Sequence, residues 1–237
     1  MEIRVVFVEP ESGGNIGSIA RLMKNFGISE FYLINPKTEI GKEAWTLAAH
    51  ARDILENAIV VKELNEALKD VNYVVGTTSI VAKSTSNLVR APISARQFAE
   101  NVGKVKGTVA LLLGRESTGL SNTELTRCDL VVTIPSDSTY KTLNVASASA
   151  IFFYELWIAK LCSKSEPDNE VNREHRERLL TLFNEVCETL NLANHKERLT
   201  QRAFKNIISR AFASTREITL LIGVVRNIRQ RIVHRED

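Results

Sequence analysis

The chain of 237 residues has few of the residues that mark several protein classes. Its three cysteines, an odd number at distant positions, argue against a disulfide framework and suit a reducing compartment. No apolar run reaches the ~18–20 residues of a membrane span, and the first residues lack the basic and apolar regions of a signal peptide. Apolar residues make up 44% and charged residues 25% of the chain, as in ordinary globular domains. We therefore expect a cytoplasmic protein without a membrane partner.

Metal-binding and common catalytic motifs are also missing. The sequence has no Cys-x-x-Cys and no His-Glu-x-x-His, and its histidines do not cluster, so we expect no structural metal. It lacks the dinucleotide fingerprint and the nucleotide-triphosphate loop, which argues against both kinds of nucleotide site. It also lacks the Gly-x-Ser-x-Gly elbow of α/β-hydrolases. The four histidines are His50, His175, His195 and His234.

Short apolar runs alternate with segments of helical spacing over the first 135 residues. Runs that are apolar at nearly every position are typical of strands buried on both faces of a parallel sheet. The alternation predicts an open, doubly wound α/β domain. The predicted strands are Ile3–Val8, Phe31–Ile34, Ala58–Val61, Tyr73–Val75, Val109–Leu113 and Leu130–Ile134. The predicted helices between them are Asn15–Phe26, Glu43–Glu56, Leu64–Lys69, Ser94–Asn101 and Ser121–Arg127.

Beyond Asn144 the spacing indicates helices only. Residues 163–172 are polar with one proline, as in a linker. The pattern therefore predicts an α/β domain over residues 1–162, a linker over 163–172, and an all-helical unit over 173–237. The predicted helix that ends the α/β domain, Val145–Leu161, is apolar nearly all round, which fits a subunit interface or an internal core helix. The predicted helices are Val145–Leu161, Arg173–Leu190, Glu197–Ala211 and Ser214–Val233.

Positive charge is concentrated near the end of the chain. Residues 198–235 contain nine basic side chains and one acidic one, whereas residues 165–197 contain eight acidic and four basic ones. Eight of the nine are arginine, whose planar guanidinium suits phosphate. The pattern indicates an RNA-binding face, although a solvated helix surface or pairing with the acidic segment would give the same count. The nine are Arg198, Arg202, Lys205, Arg210, Arg216, Arg226, Arg229, Arg231 and Arg235.

Three loops follow predicted strands, where open α/β sheets bind ligands. The loop of residues 9–21 is rich in glycine and places Asn15 at a helix start with Arg21 further on. This arrangement fits either a phosphate site or a capped turn. In the loop of residues 113–120, Arg115 and Glu116 stand between two glycines and could form a local ion pair. The loop of residues 134–144 is dense in hydroxyl groups and taken alone is a turn, with Asn144 or Thr142 capping the next helix.

Taken together, the stretches NIGSIAR (15–21), LLLGRESTGL (111–120) and IPSDSTYKTLNVASA (134–148) resemble motifs 1, 2 and 3 of the SPOUT methyltransferases, TrmH/TrmJ branch. The resemblance covers Met1 to Ala159. It implies an α/β domain with a C-terminal deep trefoil knot that binds S-adenosyl-L-methionine. It also implies an obligate homodimer and 2′-O-methylation of RNA ribose.

The layout, with a basic helical unit after the α/β domain, is most similar to the TrmJ group. This similarity implies tRNA as the substrate and nucleotide 32 of the anticodon loop as the target. Nucleotide 18 of tRNA and a ribosomal RNA site are the alternatives within the family. A non-catalytic RNA-binding protein is the alternative of another class. Two departures are Thr142, where serine is common, and the loop Thr77–Val81, which is poorer in arginine than the family's.

The resemblance also implies roles for single residues. Because guanidinium stays protonated, Arg21 is expected to clamp a phosphate and stabilise the developing oxyanion, oriented by Asn15 and Glu116. The expected catalytic set is Arg21, Asn15, Glu116, Tyr140, Thr142 and Asn144. The expected cofactor ligands are Thr78, Ser79, Ile80, Leu113, Gly114, Gly119, Ile134, Thr142 and Leu143. The expected RNA ligands are Arg21, Arg115, Arg198, Arg202, Lys205 and Arg210.

Overall fold

The computed structural model describes residues 1–80, 89, 91–103, 105–137, 139–162, 173–190 and 192–233. Its centre is one seven-stranded parallel sheet in the order β3-β2-β1-β6-β4-β7-β5. The strands are β1 (Glu2–Val8), β2 (Glu30–Ile34), β3 (Ile59–Val61), β4 (Tyr73–Thr77), β5 (Ile93–Ser94), β6 (Thr108–Leu113) and β7 (Leu130–Thr133). The helices are α1 (Gly13–Asn25), α2 (Lys42–Ala48), α3 (Arg52–Glu56), α4 (Leu64–Ala67), α5 (Ala95–Val102), α6 (Asn122–Arg127), α7 (Val145–Cys162), α8 (Arg173–Thr189), α9 (Asn194–Ala211) and α10 (Thr215–Val233).

The central strands are covered on both faces, as their apolar runs predict. In β1, Val5 and Phe7 belong to one core cluster, whereas Val6 and Val8 belong to the other. Side chains alternate between the faces of a strand, so a strand covered on both sides has to be apolar throughout. The predicted parallel α/β architecture is confirmed.

The strand order brings four loops to one edge of the sheet. Strand β6 pairs with β1 on one side and β4 on the other, and β4 in turn pairs with β7. The registers place Phe7 opposite Leu113 and Gly76 opposite Leu112, so these strands end at nearly the same level. The loops that leave β1, β4, β6 and β7 therefore meet at the carboxyl edge, where parallel sheets bind ligands.

Two elements differ from the sequence prediction. The segment Glu43–Glu56, predicted as one helix, forms α2 and α3, separated at Ala49 with φ of 51°. No glycine or proline marks this left-handed position, so the sequence carries no signal for the break. Strand β5 was not predicted, because two residues are too few to show a periodic pattern.

Helix α7 departs from the expectation that no segment is long and apolar enough to span a membrane. Its 18 residues have a mean hydropathy of 1.4, which meets the length and composition of a span. However, Phe152, Phe153 and Leu156 are buried in the core beneath the sheet. Only 22% of the helix is buried, whereas a core helix that meets the same criteria is mostly buried; a single such helix is nevertheless weak evidence for a membrane span.

The three C-terminal helices have a small core of their own. Leu179 of α8, Ile208 of α9, and Ile218 and Ile222 of α10 form a cluster separate from the two clusters of the sheet. The rings of Phe183 and Phe204 stack beside it, with centroids 3.8 Å apart. The predicted linker 163–172 and residues 234–237, with His234 and Arg235, lie outside the described residues.

These helices dock at the amino end of the sheet, opposite the edge where the loops meet. Arg176 of α8 is 2% exposed and donates from Nη2 to Asp129 Oδ2 at 2.8 Å and to the Asn72 carbonyl at 3.1 Å. Its guanidinium lies over the ring of Tyr73, 4.4 Å from the centroid. The Tyr73 hydroxyl in turn donates to the Ser209 carbonyl of α9.

Candidate active site

A cleft of about 200 Å³ lies at the carboxyl edge of the sheet. It is enclosed by the loops that follow β4, β6 and β7 and by the first two turns of α7. Leu113 does not line it, because its side chain is buried at the end of β6. The other predicted cofactor ligands all do: Thr78, Ser79, Ile80, Gly114, Gly119, Ile134, Thr142 and Leu143.

The loop after β6 presents its backbone to this cleft. A side chain at Gly114 would place its Cβ 2.3 Å from the backbone of Gly119 and Leu120, so only glycine allows the loop to fold back so closely. Gly119 has φ of 67°, and its amide donates to the Arg115 carbonyl at 2.9 Å. The two glycines of the predicted motif therefore shape a tight turn whose peptide groups form one wall of the cleft.

A hydrogen-bonded relay joins the three predicted motifs. The Glu116 carboxylate accepts from the side-chain amide of Asn15 at 3.0 Å and from the backbone amides of Glu11 and Ser12 at 2.9 and 3.1 Å. Asn144 Nδ2 donates to Asn15 Oδ1 at 3.1 Å. The Asn144 Oδ1 atom accepts from the first amides of α7 and so caps that helix. Three polar residues from distant parts of the chain thus fix the loops against one another.

A second pair of contacts braces the same loops in the reverse direction. The Glu11 carboxylate accepts from the Ser117 hydroxyl at 2.7 Å and from the Ser117 amide at 3.1 Å. The loop after β1 thus donates two backbone amides to Glu116, and the loop after β6 donates one backbone amide to Glu11. Charge-assisted hydrogen bonds of this kind are stronger than neutral ones, so the loops after β1 and β6 are held as one unit.

The side chain of Arg115 holds the loop after β6 to Glu9 and Glu124 and does not point to a free surface. It makes a bidentate pair with Glu124, at 2.9 and 3.1 Å, and its Nε donates to Glu9 at 3.2 Å. The hydrogen bonds to Glu124 and Glu9, against the cost of burial, raise the pKa of the Arg115 guanidinium. This arrangement favours the local ion pair over the expected RNA contact, with Glu124 rather than Glu116 as the main partner.

Arg21 lies apart from the relay. It is exposed on α1, about 9 Å along the helix axis from Asn15, and no hydrogen bond among the described residues joins it to Asn15 or Glu116. The expected orientation of Arg21 by these two residues is therefore absent from the structure. The nearby Gly17 serves helix packing, because a Cβ there would lie 2.1 Å from the Ala44 carbonyl oxygen of α2.

The loop after β7 divides its residues between two environments. Thr142 and Leu143 line the cleft, whereas Tyr140 is 80% exposed and does not line it. Ser136 donates its hydroxyl hydrogen to the Lys141 carbonyl at 3.1 Å, which bends the loop back on itself. The structure therefore brings Asn15, Glu116, Thr142 and Asn144 together, and it leaves the side chain of Tyr140 in solvent.

Most of the basic residues expected to bind RNA in α9 face the α/β domain. Arg202 and Lys205 both donate to the Thr126 carbonyl, at 3.2 and 3.1 Å, and Arg210 donates to the Ala91 carbonyl. Burial lowers the pKa of Lys205 and of Arg202, as expected for cations removed from water. Of the four expected residues in this helix, Arg198 alone lacks such a contact among the described residues and is exposed. Arg202 and Lys205 are thus partly buried against the α/β domain, whereas Arg210 remains exposed beside its contact with Ala91.

Sequence reasoning missed the contribution of α7 to the cleft. Val145, Ala148 and Phe152 line it beside the loops. Their spacing of three and four residues marks one helix face, and the start of that helix within the third motif is the signal that could have found them. Within the described residues there is no group of three or more His, Cys, Asp or Glu side chains able to hold a metal ion.

Comparison with known proteins agrees with the motif resemblance. The model of the SpoU rRNA Methylase family matches residues 2–154. The tRNA (cytidine-2′-O-)-methyltransferase TrmJ of Methanocaldococcus jannaschii is 36% identical over 227 residues, which cover 94% of this chain and 98% of that protein. A solved structure of a probable methylase family protein from Haemophilus influenzae Rd KW20 is 32% identical with a TM-score of 0.66, and the match covers 97% of both chains. The solved complex of the SpoU methyltransferase AviRb from Streptomyces viridochromogenes with AdoMet is 24% identical with a TM-score of 0.54, covering 68% of this chain and 62% of that one, and shares the fold. The chain therefore belongs to the SpoU rRNA methylase family.

Proposed function

We propose that this protein is an S-adenosyl-L-methionine-dependent tRNA ribose 2′-O-methyltransferase. The observation that carries the proposal is the relay of Glu116, Asn15 and Asn144, which assembles the three family motifs around one cleft. The near full-length similarity to a tRNA 2′-O-methyltransferase supports tRNA as the substrate. The similarity to the TrmJ group supports nucleotide 32 of the anticodon loop as the target.

The residues of the cleft fit the cofactor. Ile80, Ile134, Leu143 and Phe152 offer apolar walls suited to a nucleobase, and the backbone-rich turn at Gly114 offers hydrogen-bonding peptide groups. S-adenosyl-L-methionine supplies a sulfonium methyl group for transfer. The protein's own task is to hold the ribose hydroxyl in line with that methyl group and to exclude water.

Arg21 is proposed to act on the RNA rather than on the relay. Its exposed guanidinium can bind the phosphate beside the target ribose and stabilise the negative charge that develops on the 2′-oxygen. Thr142 in the wall of the cleft and the solvent-exposed Tyr140 of the same loop are proposed to contact the ribose and a base. The relay of Asn15, Glu116 and Asn144 positions the loops that carry these groups.

Transfer of a labelled methyl group to tRNA tests the proposal. Arg21→Ala should lower the rate constant of transfer by roughly a hundredfold or more, a loss typical of an oxyanion donor, while cofactor affinity by calorimetry stays unchanged. Arg52→Ala is the matched control, because Arg52 is another exposed arginine, on α3 of the same domain. No cofactor binding by the intact chain would refute the enzyme. An Arg21→Ala rate close to that of the control would refute the role of Arg21.

The RNA-binding extension is proposed to use Arg198, which is one of the expected RNA ligands, together with Arg216 and Arg226 of the same basic segment. Arg198, Arg216 and Arg226 are exposed, unlike the side chains of α9 that face Thr126. Removal of one cation that neutralises a phosphate should lower the slope of log affinity against log salt by about 1. Arg216→Ala and Arg226→Ala should therefore flatten the salt dependence of tRNA binding, and Arg52→Ala should not.

A homodimer through α7 is also proposed. Ile151, Tyr154, Ile158 and Leu161 are exposed on this helix although its other side is buried in the core. An exposed apolar face of this kind is typical of a subunit interface. Sedimentation should show a dimer at micromolar concentration that Ile158→Asp dissociates, and a monomeric parent chain would refute the interface.

The division of the chain is proposed to follow the core clusters, with the methyltransferase domain over residues 1–162 and the helical extension over 173–237. The deep trefoil knot remains a proposal based on the motif resemblance. The order β6-β4-β7, in which later strands flank an earlier one, is compatible with it. The proposed reaction on tRNA places the enzyme in the cytoplasm.

A further inference from the structure

Helix α10 has a second apolar face that the C-terminal core does not use. Ile218 and Ile222 pack against α8 in that core. In contrast, Leu220, Leu221, Val224 and Ile228 are 66%, 39%, 57% and 44% exposed, and together we call them the outer stripe. At 100° per residue, the outer stripe is turned about 120° from the buried face. A contiguous exposed patch of large aliphatic side chains marks an interaction surface.

The spacing of the outer stripe favours another helix as its occupant. Leu221, Val224 and Ile228 are three and four residues apart, which is the pattern that packs two helices side by side. Helix α10 has 19 residues and is about 28 Å long, so the stripe occupies its central two turns. The helix is long enough to pair along its whole length.

The charges at the two ends of the stripe identify that second helix. Glu217 lies on the stripe side near the start of α10, and Arg231 lies on the same side near its end. In an antiparallel pair of identical helices centred on Val224, Glu217 of each copy faces Arg231 of the other. A parallel pair would instead place like charges together. The helix is therefore complementary to itself in the antiparallel direction only.

We propose that α10 is a self-association surface, in which the outer stripes of two copies of this chain pack antiparallel across a two-fold axis at Val224. Such a contact is isologous and closes on itself, because the same residues contribute from both sides. It is separate from α7 and does not rest on the methyltransferase reaction. The two glutamate–arginine pairs fix the direction and register, and the aliphatic side chains supply the buried area.

A disulfide at the proposed axis tests the pairing. Val224→Cys should form a covalent dimer under mild oxidation at micromolar protein, in a chain carrying Cys162→Ser to remove the exposed native thiol. Thr219→Cys in the same background is the matched control, since residue 219 is exposed about 140° around the helix from Val224. The readout is the fraction of cross-linked chain, so a dimer formed through α7 that keeps the two α10 helices apart gives no signal. Equal cross-linking of the two variants would overturn the proposal. The proposal would also be overturned if the outer stripe binds RNA or another protein and never a second copy of this chain.

Exchange of the end charges provides the second test. Adding Arg231→Glu to the Val224→Cys chain places two carboxylates at each end and should reduce the cross-linked fraction about tenfold at limiting oxidant. Adding Glu217→Lys as well restores opposite charges and should recover most of the yield, although the substitution also removes the hydrogen bonds from Ser214 to Glu217. A double exchange that stays as low as the single one would contradict the antiparallel register.

Discussion

Asp129 carries the ion pair on which the docking of the C-terminal helices depends. Its Oδ2 atom accepts from Arg176 at 2.8 Å and from the Val74 amide at 2.9 Å, and both side chains of the pair are nearly buried. Asp129→Asn keeps the shape but removes the charge. The change leaves Arg176 buried with no anion facing it, beside the partly buried cations Lys205 and Arg202. We therefore expect a large loss of stability from a single substituted atom.

The size of the loss follows from the burial of the pair. Removal of one partner of a buried ion pair costs about 3–5 kcal/mol, because the remaining charge has lost both water and counter-charge. The Nε and Nη1 atoms of Arg176 already lack a hydrogen-bond partner among the described residues. The carboxylate of Asp129 is therefore the main compensation for burying this guanidinium. For a chain of this size, each kcal/mol lowers the melting temperature by roughly 2–4 °C. Asp129→Asn should thus lower it by roughly 6–20 °C.

Urea unfolding of the full chain measures the loss of free energy of unfolding, and thermal unfolding measures the shift in melting temperature. Asp70→Asn is the control, because Asp70 is an exposed aspartate and its loss should change the free energy of unfolding by less than about 0.5 kcal/mol. Arg176→Met combined with Asp129→Asn should be less destabilised than the sum of the single changes, because neither charge is then left alone. An Asp129→Asn protein as stable as the control, or strictly additive changes, would refute this account of the docking.

Three further predictions concern the loops. Glu116→Ala leaves three donors without their acceptor and should lower the single-turnover rate of methyl transfer by roughly ten- to a hundredfold. An unchanged rate would show that the relay does not contribute to methyl transfer. Tyr140→Phe should keep most of the tRNA methylation that Tyr140→Ala loses if the ring stacks on a base, and a Phe variant as inactive as Ala would assign the role to the hydroxyl. The hydrogen bond from Arg115 holds the pKa of the Glu9 carboxyl below its ordinary value of 4.5, so the stability that this group contributes is present above pH 4.5 and is lost as the pH falls through the lowered pKa. Urea unfolding at pH 7 and pH 3.5 should therefore differ less in Glu9→Gln than in the parent chain, and an equal difference would contradict the assignment.

The strands and most of the cleft could be predicted because local pattern and tertiary structure agree there. A strand buried on both faces must be apolar throughout, so β1 and β6 are visible in the sequence alone. The cofactor loops directly follow β4, β6 and β7, and eight of the nine expected ligands line the cleft. Leu113 is the exception because the last strand residue still points into the core.

The direction in which charged side chains point could not be predicted. Arg202 and Lys205 belong to a basic segment that suggests an open phosphate-binding face, yet both donate to the Thr126 carbonyl. Their orientation depends on how α9 docks against the sheet, and a count of charges holds no information on docking. Likewise, the contact of Asn15 with Asn144 joins residues 129 positions apart, and no local pattern indicates that they meet.

The central claim is that the chain transfers a methyl group to the ribose of tRNA, and mapping of 2′-O-methylation on whole tRNA tests it most directly. Unmodified tRNA is incubated with the intact protein and S-adenosyl-L-methionine, and each ribose is then probed for resistance to alkaline cleavage. The account predicts a new methylated ribose at nucleotide 32, present with the parent chain and with Arg52→Ala and absent with Arg21→Ala. A new mark confined to nucleotide 18, or found only on ribosomal RNA, would contradict the assigned substrate position. No new ribose methylation on any RNA, despite bound cofactor, would contradict the function itself.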